Sequence, residues 1–539
     1  MLPTKVKATP RTCGEALIEL LELYDVDTVF GIPGVHTLNL YRGLANSNIQ
    51  HVLARHEQGA GFMADGYARV TGKPGVCCII SGPGVTNATT PIGQAYCDSI
   101  PMLIISANAE SDSLGKGWGM LHETEDLQAI TAPLTAMSAT AMQPSDVPEL
   151  LGQAFSIFRS ARPRPVHLIV PIDVLAMEVT DVWTVRATSG RPMADADAVA
   201  QSAEMLQSAE NPVIIVGGGA IGADDAIVQI AEHVQAAVIS SNNGKGIVPT
   251  NHPLNLGATS WRKPTLDYLA QADVVLAIGT ELASTDSYID RLPINGKLIR
   301  IDIDPRKVNT PYPANVSMVA DGAEAAKAIA AKLGEYKQII RPNLAAIDAA
   351  REASMTPSND LERQHIAVLN AIRNALPADG ALFGDMTQIT YTASFAYPTE
   401  QSRTWHYMAG YGTLGSAMPM AIGAKIACPD QSIVGMCGDG GLMFTLPELM
   451  VAVELGLSLP ILVWNNTGLG QIRDDMIGRG IPKIGVDSTN PDYVHLCKAF
   501  GCGYVRPDSL AGVTVELEAA FSAEKPTLIE VNQDASFLQ

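Results

Sequence analysis

The sequence predicts an α/β protein built from three doubly wound parallel-sheet domains, and three observations lead there. At 539 residues the chain exceeds what one core can fill, since single cores stop growing at roughly 250–300 residues. Its apolar runs are short and bounded by Gly or Pro, the pattern of parallel strands covered on both faces. Helix-spaced segments lie between them, so strands and helices alternate in three successive stretches. The expected domains span 1–185, 186–350 and 351–539.

Residues 12–24 carry Ala16, Leu17, Leu20, Leu21 and Leu23 at helical spacing, and a short strand at 27–30 then runs into Gly31-Ile32-Pro33-Gly34. Further strands are expected at 76–80, 102–105 and 166–170. The chain turns polar and Ala-rich at 186–210. A strand at 212–216 then leads into Gly217-Gly218-Gly219, with others at 274–278 and 298–303. Residues 335–362 read as a linker plus helix. The third unit repeats the style of the first, with strands at 433–436, 461–464 and 527–531.

Thirty-six Lys and Arg against 56 Asp and Glu leave a formal charge of -20. Such a chain repels phosphate backbones and anionic bilayers, so neither nucleic acid nor membrane is an expected partner. The eight cysteines show no CxxC spacing and several sit in apolar runs, as reduced structural thiols of a cytoplasmic protein do. No apolar leader core follows Met-Leu-Pro-Thr-Lys-Val-Lys at the N-terminus, and no uncharged apolar run of about 20 residues marks a membrane helix.

The sharpest motif is Gly438-Asp439-Gly440, followed after 24 residues by Asn465-Asn466. Asp439 ends an expected strand, residues 446–456 read as a helix with Pro447 early, and the next strand ends at Asn466. Both polar residues then stand at the carboxyl ends of neighbouring strands, where open α/β sheets bind ligands. Glycines let backbone approach phosphate closely, and carboxylate, amide and carbonyl oxygens suit Mg2+ shared with a diphosphate. A βαβ unit with polar strand ends is the plainer reading of the same string. A second string, Arg55-His56-Glu57-Gln58-Gly59-Ala60, opens a helix whose exposed face is expected to continue through Asp65-Gly66-Tyr67-Ala68-Arg69. Alone, Glu57 reads as an acid favoured at a helix N-terminus.

The first string resembles the binding signature of thiamine diphosphate enzymes. His56-Glu57, Ala64-Asp65-Gly66-Tyr67-Ala68-Arg69 and Ser81-Gly82-Pro83-Gly84-Val85-Thr86-Asn87 are similar to the pyrimidine-binding domain of the acetolactate synthase and pyruvate oxidase group. The resemblance spans essentially the whole chain and implies pyrimidine-binding, central and diphosphate-binding domains in that order. It implies thiamine diphosphate and Mg2+ as cofactors, with the metal on Asp439, Asn466 and the carbonyl of Gly468. It implies that Glu57 hydrogen-bonds the aminopyrimidine ring, whose nitrogen then takes the proton from the thiazolium carbon. Pro33, Asn87, Thr387, Gln388, Gly412, Leu414, Gly438, Gly440, Gly441, Leu469 and Gly470 fall at cofactor positions. Leu414 would wedge under the bent cofactor, although by itself it reads as a core leucine. The family shares each site between the first domain of one subunit and the third of another, implying a homodimer or homotetramer.

Within the group, the chain departs from acetolactate synthases. It has Asp474-Asp475 where they carry Gln-Trp, and Leu121-His122-Glu123 where they carry Phe-Gln-Glu. Flavin-contacting features are missing near Thr280-Glu281 and at 254–257, and Gly217-Gly218-Gly219 is no dinucleotide fingerprint, which argues against bound FAD. Gly31-Ile32-Pro33-Gly34-Val35-His36 and Gly117-Trp118-Gly119-Met120-Leu121-His122-Glu123 look closer to the branch containing 5-guanidino-2-oxopentanoate decarboxylase. In that branch Asp474, Asp475 and Glu123 would pair with a guanidinium tail, or else face solvent. Val35, Leu121 and Ile472 would line the pocket. His36 and His122 would pass protons, or be ordinary hydrogen-bonded histidines. The expected reaction is decarboxylation of a 2-oxo acid followed by protonation to an aldehyde. The alternative is an acetolactate synthase-type carboligation, in which pyruvate condenses with a second carbonyl compound.

Overall fold

The computed structural model describes residues 11–340 and 343–539. The N-terminal stretch read above for a leader, residues 1–10, lies outside the described residues. Three six-stranded sheets carry the chain, and every pairing within them is parallel. Across the first sheet the strands run Gln50–Leu53, Thr28–Gly31, Gly75–Ile79, Met102–Asn108, Val166–Pro171, Met137–Thr140. The central sheet runs Asn255–Gly257, Ala237–Ser240, Pro212–Val216, Val274–Ile278, Lys297–Asp302, Val316–Val319. The third runs Trp405–Tyr407, Ala381–Gly384, Ile433–Gly438, Pro460–Asn465, Thr527–Asn532, Gly503–Val505. With each sheet's strands numbered in chain order, the first and third share the order 2-1-3-4-6-5, while the central sheet is 3-2-1-4-5-6. In both orders the direction of winding reverses between strand 1 and a neighbour, opening a crevice at the carboxyl ends there.

The first sheet is buried on both sides, which is why its strands read as unbroken apolar runs. Val76, Cys78, Leu103 and Ile105 pack outward against the helix Cys13–Leu23, which Thr12 and Glu15 cap reciprocally. Cys77, Ile79 and Ile104 face inward and join a core that continues into the third domain through Met418, Met420, Ile422, Cys437 and Val463. The helices Glu57–Thr71 and Ala417–Ala427 lie between the two sheets. At their crossing, a methyl on Gly66 would collide with the Met420 carbonyl oxygen, and one on Gly423 with that of Met63. Glycine at both positions lets the backbones touch.

This placement overturns one expectation. The stretch Asp65–Arg69 is not an exposed face: Asp65 is 0% exposed and Arg69 4%. Charged groups pair with one another there, although Asp65 Oδ2 has no hydrogen-bond partner among the described residues. Arg69 Nε donates to Asp65, its Nη2 donates to Asp98 at 2.7 Å, and Gln94 donates to Asp98 at 2.8 Å. The expected helix at 446–456 is also revised. Helix begins at once as Asp439–Thr445, tightens to a 3-10 turn at Leu446–Glu448 around Pro447, and resumes as Leu449–Glu454. Pro447 has no N–H to give, so the α-helical ladder is interrupted there. All eight cysteines carry free thiols. Among the described residues no helix is long and apolar enough to cross a membrane.

Alanine is a better helix former than glycine by about 1 kcal/mol. At Gly66 and Gly423 steric exclusion outweighs that gain, because overpacking a tight contact costs about 1–3 kcal/mol or more. Gly66→Ala and Gly423→Ala are each expected to lower the denaturation midpoint. Gly478→Ala, with open space around it, should leave the midpoint unchanged or raise it.

Candidate functional site

Two crevices carry the residues singled out from sequence, one at the winding reversal of the third sheet and one at that of the first. In the third domain, strand Ile433–Gly438 delivers Asp439, which is 1% exposed, and the neighbouring strand Pro460–Asn465 delivers Asn466. Asp439 Oδ2 accepts from Gly468 N at 3.0 Å and Asn490 Nδ2 at 2.9 Å. Asn490 Nδ2 also donates to Asn465 Oδ1 at 2.8 Å, and Asn465 Nδ2 donates to the buried Glu530 at 2.6 Å. Neither Asn490 nor Glu530 was legible as part of the site, because both reach it only through folding.

The loop after Asn466 reverses through Thr467 at φ 55° and Gly468 at φ 151°. A side chain on Gly468 would meet the Val486 carbonyl, so the turn requires glycine. The result is a convergence of oxygens. Asn466 Nδ2 donates to Gln388 Oε1 at 3.1 Å, which leaves Asn466 Oδ1 facing Asp439 Oδ1 at 3.2 Å and Gly468 O at 2.8 Å. Turning the amide over would put N–H donors between these oxygens, but it would also set an oxygen against Gln388 Oε1. Three oxygens with no proton between them repel unless a cation joins them. Carboxylate, amide and carbonyl oxygens are the hard donors that a divalent cation such as Mg2+ or Ca2+ takes.

Around this point, Gly440 lies against Leu469, and Gly470 lies beneath the Asn466–Gln388 amide pair. Thr387 starts the helix Gln388–Ala396 without spending its hydroxyl on a cap, and that oxygen stands over Gly438. An oxyanion ligand could use both the hydroxyl and the helix end. Asp385, fully buried, accepts from Met386 N at 2.8 Å and, with both oxygens, from Gly415 N at 2.9 Å. Burial pushes its carboxyl up to about 6. Thr445 Oγ1 donates to Gly415 O at 2.6 Å, so the loop Gly412–Ser416 that carries half-buried Leu414 is pinned from both sides. Gly441 is glycine because Asp385 fills the space where its side chain would be.

In the first domain, Glu57 is the first residue of the helix Glu57–Thr71, whose N-cap His56 accepts from Gln58 N at 3.1 Å. Glu57 is 9% exposed, and its Oε2 accepts from Asn87 Nδ2 at 2.9 Å. Its Oε1 lies over Gly84. The rings of His36 and His122 stand 5.2 Å apart, and the Nδ1 atoms of both are buried without a partner among the described residues. Burial first, then His122, lowers the pKa of His36. His122 holds φ 62°, a left-handed conformation uncommon for residues other than glycine, and packs on Gly82. Pro33, Val35 and Leu121 are exposed at the rim.

The substrate-pocket candidates divide. Glu123 accepts from Trp118 N, Gly119 N and Met120 N at 3.2, 2.7 and 3.0 Å, so its carboxylate braces its own loop. Asp474 accepts from Gln388 Nε2 at 2.7 Å, Asp475 accepts from Gln471 at 3.1 Å, and Ile472 is exposed. Among the described residues, no hydrogen bond or ion pair within one chain links Glu57, Asn87, His36 or His122 to Asp439, Asn466, Thr387 or Gln388. A separate cavity of about 510 Å3 lies where the three domains meet. Arg162, Arg164, Glu281 and Arg403 line it, and neither Glu57 nor Asp439 does, so it is not the site described.

Family profiles match in sequence order: the thiamine pyrophosphate enzyme N-terminal TPP binding domain over residues 11–130, the central domain over 199–329, and the C-terminal TPP binding domain over 385–531. The probable 2-ketoarginine decarboxylase AruI of Pseudomonas aeruginosa is 48% identical, covering 98% of this chain and 95% of its own. The acetolactate synthase large subunit of Corynebacterium glutamicum is 31% identical over 97% of this chain and 87% of its own. Acetolactate synthase isozyme 1 of Escherichia coli is 29% identical over 97% and 94%.

Removing one oxygen acceptor from a buried set of backbone N–H groups costs about 1–3 kcal/mol. Asp385→Asn is expected to destabilise by that order and to speed amide hydrogen exchange at Gly415, while exchange in the central domain stays unchanged.

Proposed function

The chain belongs to the thiamine pyrophosphate (thiamine diphosphate) enzymes, and on that premise we propose that it decarboxylates a 2-oxo acid with a cationic tail, of the class of 5-guanidino-2-oxopentanoate. The observation that carries the substrate class is the 48% identity, over nearly the whole chain, to a protein named for 2-ketoarginine decarboxylation. The two acetolactate synthases compared above are 31% and 29% identical.

Asp439, Asn466 and the Gly468 carbonyl would hold Mg2+, and the Thr387 hydroxyl with the start of its helix would hold the diphosphate oxygens. When bound, the cofactor supplies a carbon that joins the substrate's 2-oxo carbon and a ring that takes up the electron pair freed with CO2. Glu57, fixed by Asn87, would hold a proton at a pyrimidine-ring nitrogen from within a nearly dry pocket. Leu414, on its doubly pinned loop, would support the cofactor from below. The unpartnered nitrogens of His36 and His122 are suited to delivering the proton that completes the aldehyde. The exposed Asp475, together with the outer oxygen of Asp474, would receive the guanidinium.

The two crevices would meet across a homodimer, alone or within a homotetramer. Apolar side chains around both crevices stay open to water in one chain, with Val35 61%, Leu121 59% and Phe444 57% exposed. Eight free thiols fit a cytoplasmic setting.

With thiamine diphosphate and Mg2+, the purified protein should release CO2 and 4-guanidinobutanal from 5-guanidino-2-oxopentanoate and turn over pyruvate slowly. Acetolactate formed from pyruvate at a higher rate would establish the carboligase instead. Glu57→Gln should keep the melting temperature and lose most of kcat, at least 100-fold for a general acid–base group. Asp475→Asn should raise KM for the guanidino substrate about tenfold or more, with a smaller effect on an uncharged 2-oxo acid.

A further inference from the structure

Orientation is the weak point of an amide ligand. An asparagine presents oxygen on one side and an NH2 on the other, and the two differ little in shape. At Asn466 the wrong side would be the comfortable one for the empty protein. An NH2 turned toward Asp439 Oδ1 and Gly468 O would sit 3.2 and 2.8 Å from two acceptors. What opposes this is a chain of three side chains running out to the surface. A carboxylate accepts hydrogen bonds and cannot donate, so Asp474 Oδ2 draws Gln388 Nε2 toward itself at 2.7 Å. That leaves Gln388 Oε1 pointing inward, where it accepts from Asn466 Nδ2 at 3.1 Å. Asn466 Oδ1 is then left facing the two other oxygens. Gly470 keeps the path clear, because any side chain there would strike both amides.

We propose that Asp474 is a positioning residue for the cation. Through Gln388 it sets the direction of the Asn466 amide, so that the metal site is preformed as an oxygen donor set. This rests on the reading of Asp439, Asn466 and Gly468 as the cation's ligands. It also gives Asp474 a task apart from any contact with substrate.

The design predicts a reversal. In Asp474→Asn, the new amide can offer Gln388 either an oxygen or an NH2, and the chain loses its direction. With Gln388→Glu added, the carboxylate placed there accepts from the amide at position 474 on one side and from Asn466 on the other, and the direction returns. Asp475→Asn removes the same charge one residue away without touching Gln388.

The test is a titration of the full-length protein with Mn2+ in the presence of thiamine diphosphate, with free Mn2+ followed by electron paramagnetic resonance at about 0.05 and 0.5 M KCl, on either side of the concentration at which the screening length is about 10 Å. Partners behind a metal ligand typically contribute about 10–100-fold in affinity. Asp474→Asn is therefore expected to weaken Mn2+ binding about tenfold or more at both salt concentrations. Asp475→Asn should change it by less than about twofold, and Asp474→Asn with Gln388→Glu should recover most of the loss. Salt screens a through-space charge effect and leaves a hydrogen-bond direction alone. Unchanged affinity in Asp474→Asn overturns the proposal. So does an equal loss in Asp475→Asn, a loss that vanishes at high salt, or a double variant no better than the single one. Failure of the underlying ligand assignment is distinct: the parent protein would bind no Mn2+, or Asp439→Asn would bind it as the parent does.

Discussion

The contact on which the architecture depends is the backbone-to-backbone crossing of the helices Glu57–Thr71 and Ala417–Ala427 at Gly66 and Gly423. It brings two sheets of the same strand order to opposite sides of one apolar layer. It also fixes where Glu57 begins its helix relative to the third domain. Asp65, Arg69 and Asp98 pair with one another and with Gln94, and Arg69 and Asp98 also border the cavity between the three domains. Their pairing is a consequence of the crossing, and removing one member would leave a buried charge uncompensated.

Many interior strands were legible in the sequence because burial on both faces leaves nearly pure apolar runs, although Ala237–Ser240 and Ala381–Gly384, equally buried, were passed over. The edge strand Gln50–Leu53 did not stand out, since its exposed side admits polar residues and erases the pattern. The convergence of Asp439 and Asn466 was legible, because their spacing reflects one βαβ unit. Asn490 and Glu530 escaped notice because they enter from elements brought alongside only by the sheet. Asp65–Arg69 was misread for a related reason. A helix between two domains buries all its sides, and charge then no longer marks solvent. Glu123 was read as a partner for a guanidinium tail or as facing solvent, and the three local N–H groups it accepts from lie outside any sequence pattern.

Around Asp439 and Asn466 the chain arranges acceptors by elimination. Glu530 orients Asn465, Asn465 and Asp439 together orient Asn490, and Asp474 orients Gln388 and so Asn466. Each series starts at a group that can only accept, which removes the twofold ambiguity of the amides beyond it. Shape alone would leave that ambiguity, because the two ends of a carboxamide pack alike.

The separation of the two crevices within one chain has a genetic reading. With sites shared between copies, a chain damaged at Glu57 and a chain damaged at Asp439 each retain what the other lacks. Either allele alone would support no activity. Expressed together, they would assemble mixed dimers in which one site receives both defects and the other receives neither. Two inactive alleles of this gene would then complement each other in the same cell, and the activity restored would report how freely the subunits exchange partners.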